Sequence, residues 1–252
     1  MLPAALLKNK LVTQKTVLGI LITNHLWGEL IEVAILAGLD YVIVDREHFA
    51  HDVDSVANAC RLGRFANFPV LLRPARTDAA AIREAMDLGP CGLLLPMVET
   101  VQQMDEVQQG AWLPPRGERR PGAHGNRWLK QFNYEDFKTG VEDDLIIIPQ
   151  IESPQGIHNA AEIASHPLTT ALGIGPYDLS CRLGCAWKPE NAELRGSIAQ
   201  LRAVAASVGK PFWMIGDGVK LSGDGHRFLC IAEPIGLLQA TLSNLVKTIQ
   251  GG

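Results

Sequence analysis

Apolar residues along this chain keep two alternating rhythms. The first is a short, nearly continuous run, at 17–23, 41–45, 69–73, 92–96, 145–151, 171–174, 211–215 and 228–231. Runs of this length without polar alternation suit strands buried on both faces, as in a parallel sheet covered by helices. The second rhythm has helical spacing and fills the gaps, at 29–39, 53–62, 78–88, 100–109, 154–164, 192–208 and 234–249. In the first of these, Leu30, Val33, Ala34 and Ala37 share one face. Thr77-Asp78 is placed to cap the third helix, and Pro154 stands in a first turn, where its missing N–H costs nothing. Gly38, Gly63, Gly89 and Gly209 stand where helices should end.

Most strand-to-strand intervals are about two dozen residues, the length of one β/α unit. Eight such units in 252 residues predict a single-domain (β/α)8 TIM barrel over 1–252. A doubly wound sheet shares the local pattern and is the alternative. Two places break the rhythm. A polar stretch rich in Pro, Gly and Arg, 112–144, separates the fourth and fifth strands, and is expected to form a lid or substrate-contacting loop on the barrel rim. The seventh unit is short, with room for barely a turn of helix at 219–225.

Composition narrows the class. With 47% apolar and 20% charged residues the chain reads as an ordinary soluble protein. A net charge of -4 gives no electrostatic reason to expect nucleic acid or an anionic membrane as partner. Five cysteines, an odd number, do not form a disulfide framework, and Cys181 and Cys185 lack companions for a zinc site. The apolar start, 1–8, is too short for a secretory segment, and no run reaches the roughly 18 residues of a membrane span. A soluble, unprocessed cytoplasmic protein with reduced thiols is expected.

Candidate chemistry clusters just after four of the strands, where a parallel β/α architecture gathers its catalytic groups. Asp45, Glu47 and His48 follow the second, Arg73 ends the third, Glu152 follows the fifth and Asp178 the sixth. Glu152 and Asp178, on neighbouring staves and without a nearby thiolate, favour a hard cation such as Mg²⁺ or Mn²⁺, with Co²⁺ as a further candidate. Two protein ligands leave positions for water and a bidentate 2-oxo acid, which such a cation polarises. Singly, each carboxylate is equally readable as a helix cap or an arginine partner. His48 is available as a general acid–base, or is merely solvated. Asp45 could orient His48 or cap a loop. Arg73, a guanidinium at the end of an apolar strand, needs an anion: a substrate carboxylate, an enolate oxygen, or a structural partner in Asp45 or Glu47. No lysine lies in a predicted strand, and Lys210 precedes the seventh, so a Schiff-base aldolase is disfavoured. Gly216-Asp217-Gly218 is no P-loop, 122–126 reads as a turn or anion nest, and Gly-x-Ser-x-Gly is absent.

These residues resemble the metal-dependent 2-oxo-acid aldolases of the HpcH/HpaI family, the 4-hydroxy-2-oxoheptanedioate aldolase type. The resemblance runs from about Gly19 to the last helix. It is carried by Asp45-Arg46-Glu47-His48, Leu72-Arg73-Pro74, Leu95-Pro96-Met97-Val98, Arg119-Arg120-Pro121-Gly122, Pro149-Gln150-Ile151-Glu152 and Gly175-Pro176-Tyr177-Asp178-Leu179-Ser180. It implies a barrel whose last helix packs on a neighbouring subunit, in a trimer or hexamer. It also implies Glu152 and Asp178 as metal ligands, Arg73 as the residue steadying a pyruvate enolate, and His48 as acid–base through water. Asp87 falls where the family places a carboxylate reaching that histidine from a neighbouring subunit. Gln150, Gly175 and Pro176 match the pyruvate surroundings. Arg46 and Arg120 stand where the family usually has glycine, and added cations at the rim would suit an acidic substrate.

The expected activity is reversible cleavage of a 4-hydroxy-2-oxo acid to pyruvate and an aldehyde. The rivals are a Claisen-type reaction with an acyl-CoA on the same barrel, and a catalytically silent barrel that binds or assembles.

Overall fold

In a computed structural model of the chain, which describes residues 1–13, 15–120, 122–186 and 188–251, all eight apolar runs are strands. They are β1 (Val17–Ile22), β2 (Tyr41–Asp45), β3 (Val70–Arg73), β4 (Gly92–Leu95), β5 (Ile146–Ile151), β6 (Leu172–Ile174), β7 (Phe212–Ile215) and β8 (Phe228–Cys230). Every pairing is parallel and follows chain order. Val17 on β1 sits opposite Phe228 on β8, closing the barrel. The (β/α)8 expectation holds, and the open doubly wound sheet is excluded.

The helices are α1 (Leu2–Val12), α2 (Gly28–Leu36), α3 (Val53–Ala66), α4 (Ala79–Asp87), α5 (Val101–Ala111), α6 (Tyr134–Phe137), α7 (Pro154–His158), α8 (Ala160–Ser165), α9 (Pro176–Arg182), α10 (Ala192–Ser207), α11 (Gly218–Gly223) and α12 (Pro234–Gln250). The cap of α4 is Asp78 alone, accepting from the Ala80 and Ala81 N–H groups. The helix predicted over 154–164 divides at Asn159 into α7 and α8. Gly63 does not end α3. The helix runs on to Ala66 and stops at left-handed Asn67, while Gly63 lets β3 approach: a Cβ there would lie 2.5 Å from Val70 Cγ2.

Two apolar layers result. The outer one lies between strands and helices. The inner one fills the barrel with Tyr41, Ile43, Leu71, Leu94, Trp213 and Phe228, and α1 adds Ala4, Leu7 and Leu11 to it. A helix thus closes the N-terminal end of the barrel. Inside, the Trp213 indole donates to the Tyr41 hydroxyl, which donates to the Leu229 carbonyl, both at 2.8 Å, so neither buried polar group is orphaned.

The 112–144 segment corrects an expectation. It leaves the C-terminal end of α5 and enters β5, so within one chain it lies at the N-terminal end of the strands, away from the catalytic rim. It packs Leu113, Phe137 and Val141 into a small core of its own. It is no lid over the mouth of its own barrel. The last helix stands apart: no residue of α12 is buried, and Leu237, Leu238, Leu242, Leu245 and Val246 are each about half exposed. The five cysteines are free thiols, and among the described residues no helix is long and apolar enough to cross a membrane.

Candidate active site

Register between β2 and β3 sets Asp45 directly opposite Arg73, both buried. The guanidinium grips the carboxylate with two parallel bonds, Nε to Oδ1 at 2.8 Å and a terminal nitrogen to Oδ2 at 2.6 Å. Its other terminal nitrogen lies 3.1 Å from Glu47 Oε2. Burial lowers the Arg73 pKa, but the bonds to Asp45 outweigh it and hold the guanidinium above its usual value. Arg73 has its structural anions in Asp45 and, at its other terminal nitrogen, Glu47, and only the N–H groups facing neither are left for a ligand. Asp45 therefore positions Arg73. It also accepts the Glu47 N–H at 2.9 Å and makes no contact with His48. Glu47 supplies the link the sequence reading did not assign, because its Oε2 lies 3.6 Å from His48 Nε2 as well. His48 is exposed at the mouth.

Glu152 follows β5, only 2% exposed. Oε2 accepts the Met97 N–H at 2.8 Å, from a backbone at left-handed φ 51° just after β4. Oε1 occupies the space over Gly175, where a Cβ would fall 1.8 Å from it. Burial pushes this carboxyl up to about 8; Glu47 and Asp178 push the same way, against the Met97 N–H and Arg73. Burial likewise raises Glu47, with Asp45 and Asp178 adding to it against Arg73 and His48. Asp178 sits in the first turn of α9, exposed.

Three carboxylates, Asp45, Glu47 and Glu152, thus act on one guanidinium that two of them already hold, and the Asp178 charge is felt by Glu47 and Glu152. Such an excess of hard oxygen donors fits a divalent cation. No group of three or more His, Cys, Asp and Glu converges in a metal-holding arrangement among the described residues; Glu152 and Asp178 are the carboxylates that could hold a cation at this mouth. Gln150, buried on β5, has an Oε1 with no partner, as a group awaiting a ligand would. Gly175 and Pro176 border the same mouth at the start of α9.

Other expectations move. Asp87, at the end of α4, faces Arg119 at 3.2 Å and not His48 of its own chain. Arg119 is buried and also donates to the Ala111 carbonyl, while Arg120 is exposed. Both belong to the segment at the far end, so Arg120 adds no positive charge to the mouth of its own chain. Pro121 of that motif lies outside the described residues. Arg46 is half-buried, its N–H bonded to the Arg73 carbonyl. Residues 124–126 form a 3-10 turn against α4, Asp217 caps α11, and Glu233 caps α12.

The fold is a closed parallel barrel, and its mouth gathers a buried arginine–aspartate fork and further carboxylates. Residues 25–214 match the family model described as HpcH/HpaI aldolase/citrate lyase. A hydroxypyruvate/pyruvate aldolase of Paraburkholderia phytofirmans is 30% identical over 225 residues, covering 86% of this chain and 83% of that one. A 2-keto-3-deoxy-L-rhamnonate aldolase of Shigella boydii is 31% identical, over 71% and 68% of the two chains. The crystal structure of an HpcH/HpaI aldolase from Desulfitobacterium hafniense superposes with a TM-score of 0.89 at 27% identity, covering 97% and 96%. The chain belongs to the HpcH/HpaI aldolase/citrate lyase family, and it is a lyase.

Proposed function

We propose that this chain catalyses reversible, divalent-metal-dependent aldol cleavage of a 4-hydroxy-2-oxo acid to pyruvate and an aldehyde. The observation that carries this reading is the mouth itself: Glu152 and Asp178 beside an Arg73 that Asp45 holds in place. Aldolase names among its relatives support it.

Mg²⁺ or Mn²⁺, held by Glu152 and Asp178, would supply Lewis-acid polarisation of the 2-oxo group. The chain's own residues do the rest. Gln150 and the Gly175-Pro176 backbone orient the 2-oxo acid. The Arg73 N–H groups facing neither Asp45 nor Glu47 meet the oxygen on which charge develops, from a site built before substrate arrives. His48, through water, takes the proton of the 4-hydroxyl. The C3–C4 bond then breaks, its electron pair passes to C3 as the pyruvate enolate, and the aldehyde leaves. A proton returned to C3 completes pyruvate.

Assembly belongs to the same reading. Helix α12, with an apolar face and nothing of its own chain burying it, packs on a neighbouring copy in a trimer or hexamer. In that assembly Asp87 is the carboxylate that meets the histidine of a neighbouring copy. The test is exchange of pyruvate methyl protons with deuterated water at saturating Mg²⁺ or Mn²⁺, which reports enolate formation without knowledge of the aldehyde. Metal-dependent exchange is expected. Its absence, or full exchange after exhaustive chelation, overturns the reading. Thioester consumption with oxaloacetate in place of aldehyde-dependent turnover would favour the Claisen alternative.

A further inference from the structure

A cavity of about 380 Å³ opens at the other end of the barrel, bounded by α1, both ends of the 112–144 segment and the loops leading into β6 and β7. Its size is that of a small-molecule pocket, and Leu11, Leu145 and Leu168 help make its walls apolar.

Its polar groups are unequally satisfied. Glu142 uses both oxygens internally, accepting the Leu113 N–H at 2.6 Å and Arg116 at 3.1 Å. Asp143 is taken by the other arm of that guanidinium at 2.8 Å. The Thr169 and Thr170 hydroxyls donate to the Ile163 and Leu145 carbonyls. The acceptors are engaged; the lysine donors are engaged in part, each by one backbone carbonyl. Lys8 Nζ reaches the Asp143 carbonyl at 2.8 Å, and Lys210 Nζ the Thr169 carbonyl at 2.6 Å. Among the described residues neither ammonium is within ion-pair distance of a carboxylate, and each has three N–H groups to place. The Trp112 indole N–H is buried without a partner, its ring covered by Arg116 at 3.7 Å. Burial lowers the Lys8 pKa, and the nearby Lys210 charge acts in the same direction, against Asp144 and Asp143.

We propose that this cavity binds a small organic carboxylate with a compact apolar body, its anion held by Lys8 and Lys210 and met by the Trp112 N–H. An apolar chamber with spare cationic donors suits such a molecule better than a bare inorganic ion, which would gain nothing from the leucines. The site is separate from the catalytic mouth. Because Lys8 lies on α1 and Lys210 on the loop entering β7, an occupant ties the closing helix to the barrel.

Benzoate and its neutral analogue benzamide are the probes, read by calorimetry and by thermal unfolding of the full chain. Benzoate should bind saturably and raise Tm, should not be displaced by pyruvate with Mn²⁺, and should bind tenfold or more tighter than benzamide. Lys210→Met and Lys8→Met should each weaken benzoate about tenfold. Trp112→Phe, which keeps a ring under Arg116, should weaken it less. The proposal is overturned by displacement with pyruvate, by equal binding of benzamide, by lysine variants of unchanged affinity, or by no saturable benzoate binding up to about 10 mM.

Discussion

Glu152 stands where a side chain on residue 175 would have to be: a Cβ there would lie 1.8 Å from Oε1 and 2.7 Å from the carboxyl carbon. The residue after β6, at the cap of α9, gives up a side chain so that the carboxyl just past β5 can be held against the Met97 N–H. Gly175→Ala should therefore displace Glu152 while leaving the barrel folded. The expected result is loss of Mn²⁺ binding by calorimetry with an unchanged far-ultraviolet circular dichroism spectrum. Mn²⁺ binding as in the parent would show that Glu152 does not hold the cation.

The same burial has a thermodynamic signature. Glu152 is pushed up to about 8 from an ordinary 4.5, so between those values the folded chain holds a proton that the unfolded chain has released. Stability from this group is complete below about 4.5 and is lost as pH rises through about 8. Chelator-treated protein should thus lose urea stability across that window, and Glu152→Gln should flatten the loss. Saturating Mn²⁺ should offset it, since the cation takes the place of the proton. A variant and a parent with identical pH profiles would contradict the assignment.

Positioning and proton transfer should separate by mutation. Asp45 is buried in a two-bond pair, so Asp45→Asn removes the charge opposing Arg73 and should cost roughly 3–5 kcal/mol in urea unfolding. Its activity should fall with its stability. His48 is exposed, and His48→Ala should leave unfolding unchanged while lowering aldol turnover about 10²–10⁴-fold. Unchanged turnover would remove His48 from the mechanism.

These predictions rest on features of unequal legibility. Strand ends were readable to within a residue because most of the apolar runs are bounded by polar or glycine positions, and the barrel's closure then put Asp45, Arg73, Glu152 and Asp178 at one end. What escaped was backbone and context. The Met97 N–H has no signature in the residue alphabet. Glu47 was visible, but its place between Arg73 and His48 depends on side-chain direction. Helix α1 is apolar on more than one side and buries Ala4, Leu7 and Leu11, yet it fills the end of a barrel, a position that strand–helix alternation does not provide. The 112–144 segment was misplaced although the order strand, helix, insertion already sends it to the N-terminal end. Asp87 was matched to a histidine, but within the chain Arg119 from that segment claims it.

The last helix exposes the fold to its largest experimental risk. Its residues include Leu238, Leu242 and Leu245, spaced to share one face, and none is buried by its own chain. An exposed apolar stripe along a helix of 17 residues is unfavourable in water, which is why the proposed assembly places a neighbouring copy on it. If α12 packs on a neighbouring copy, Leu238→Lys with Leu242→Lys places two charges in that contact, and the oligomer should dissociate. Sedimentation should then show one chain of 27.4 kDa in place of a trimer or hexamer. If, as proposed, Asp87 meets the histidine of a neighbouring copy, turnover should fall with assembly even though every group at the mouth is retained. A double variant that sediments as the parent does would place the subunit contact elsewhere.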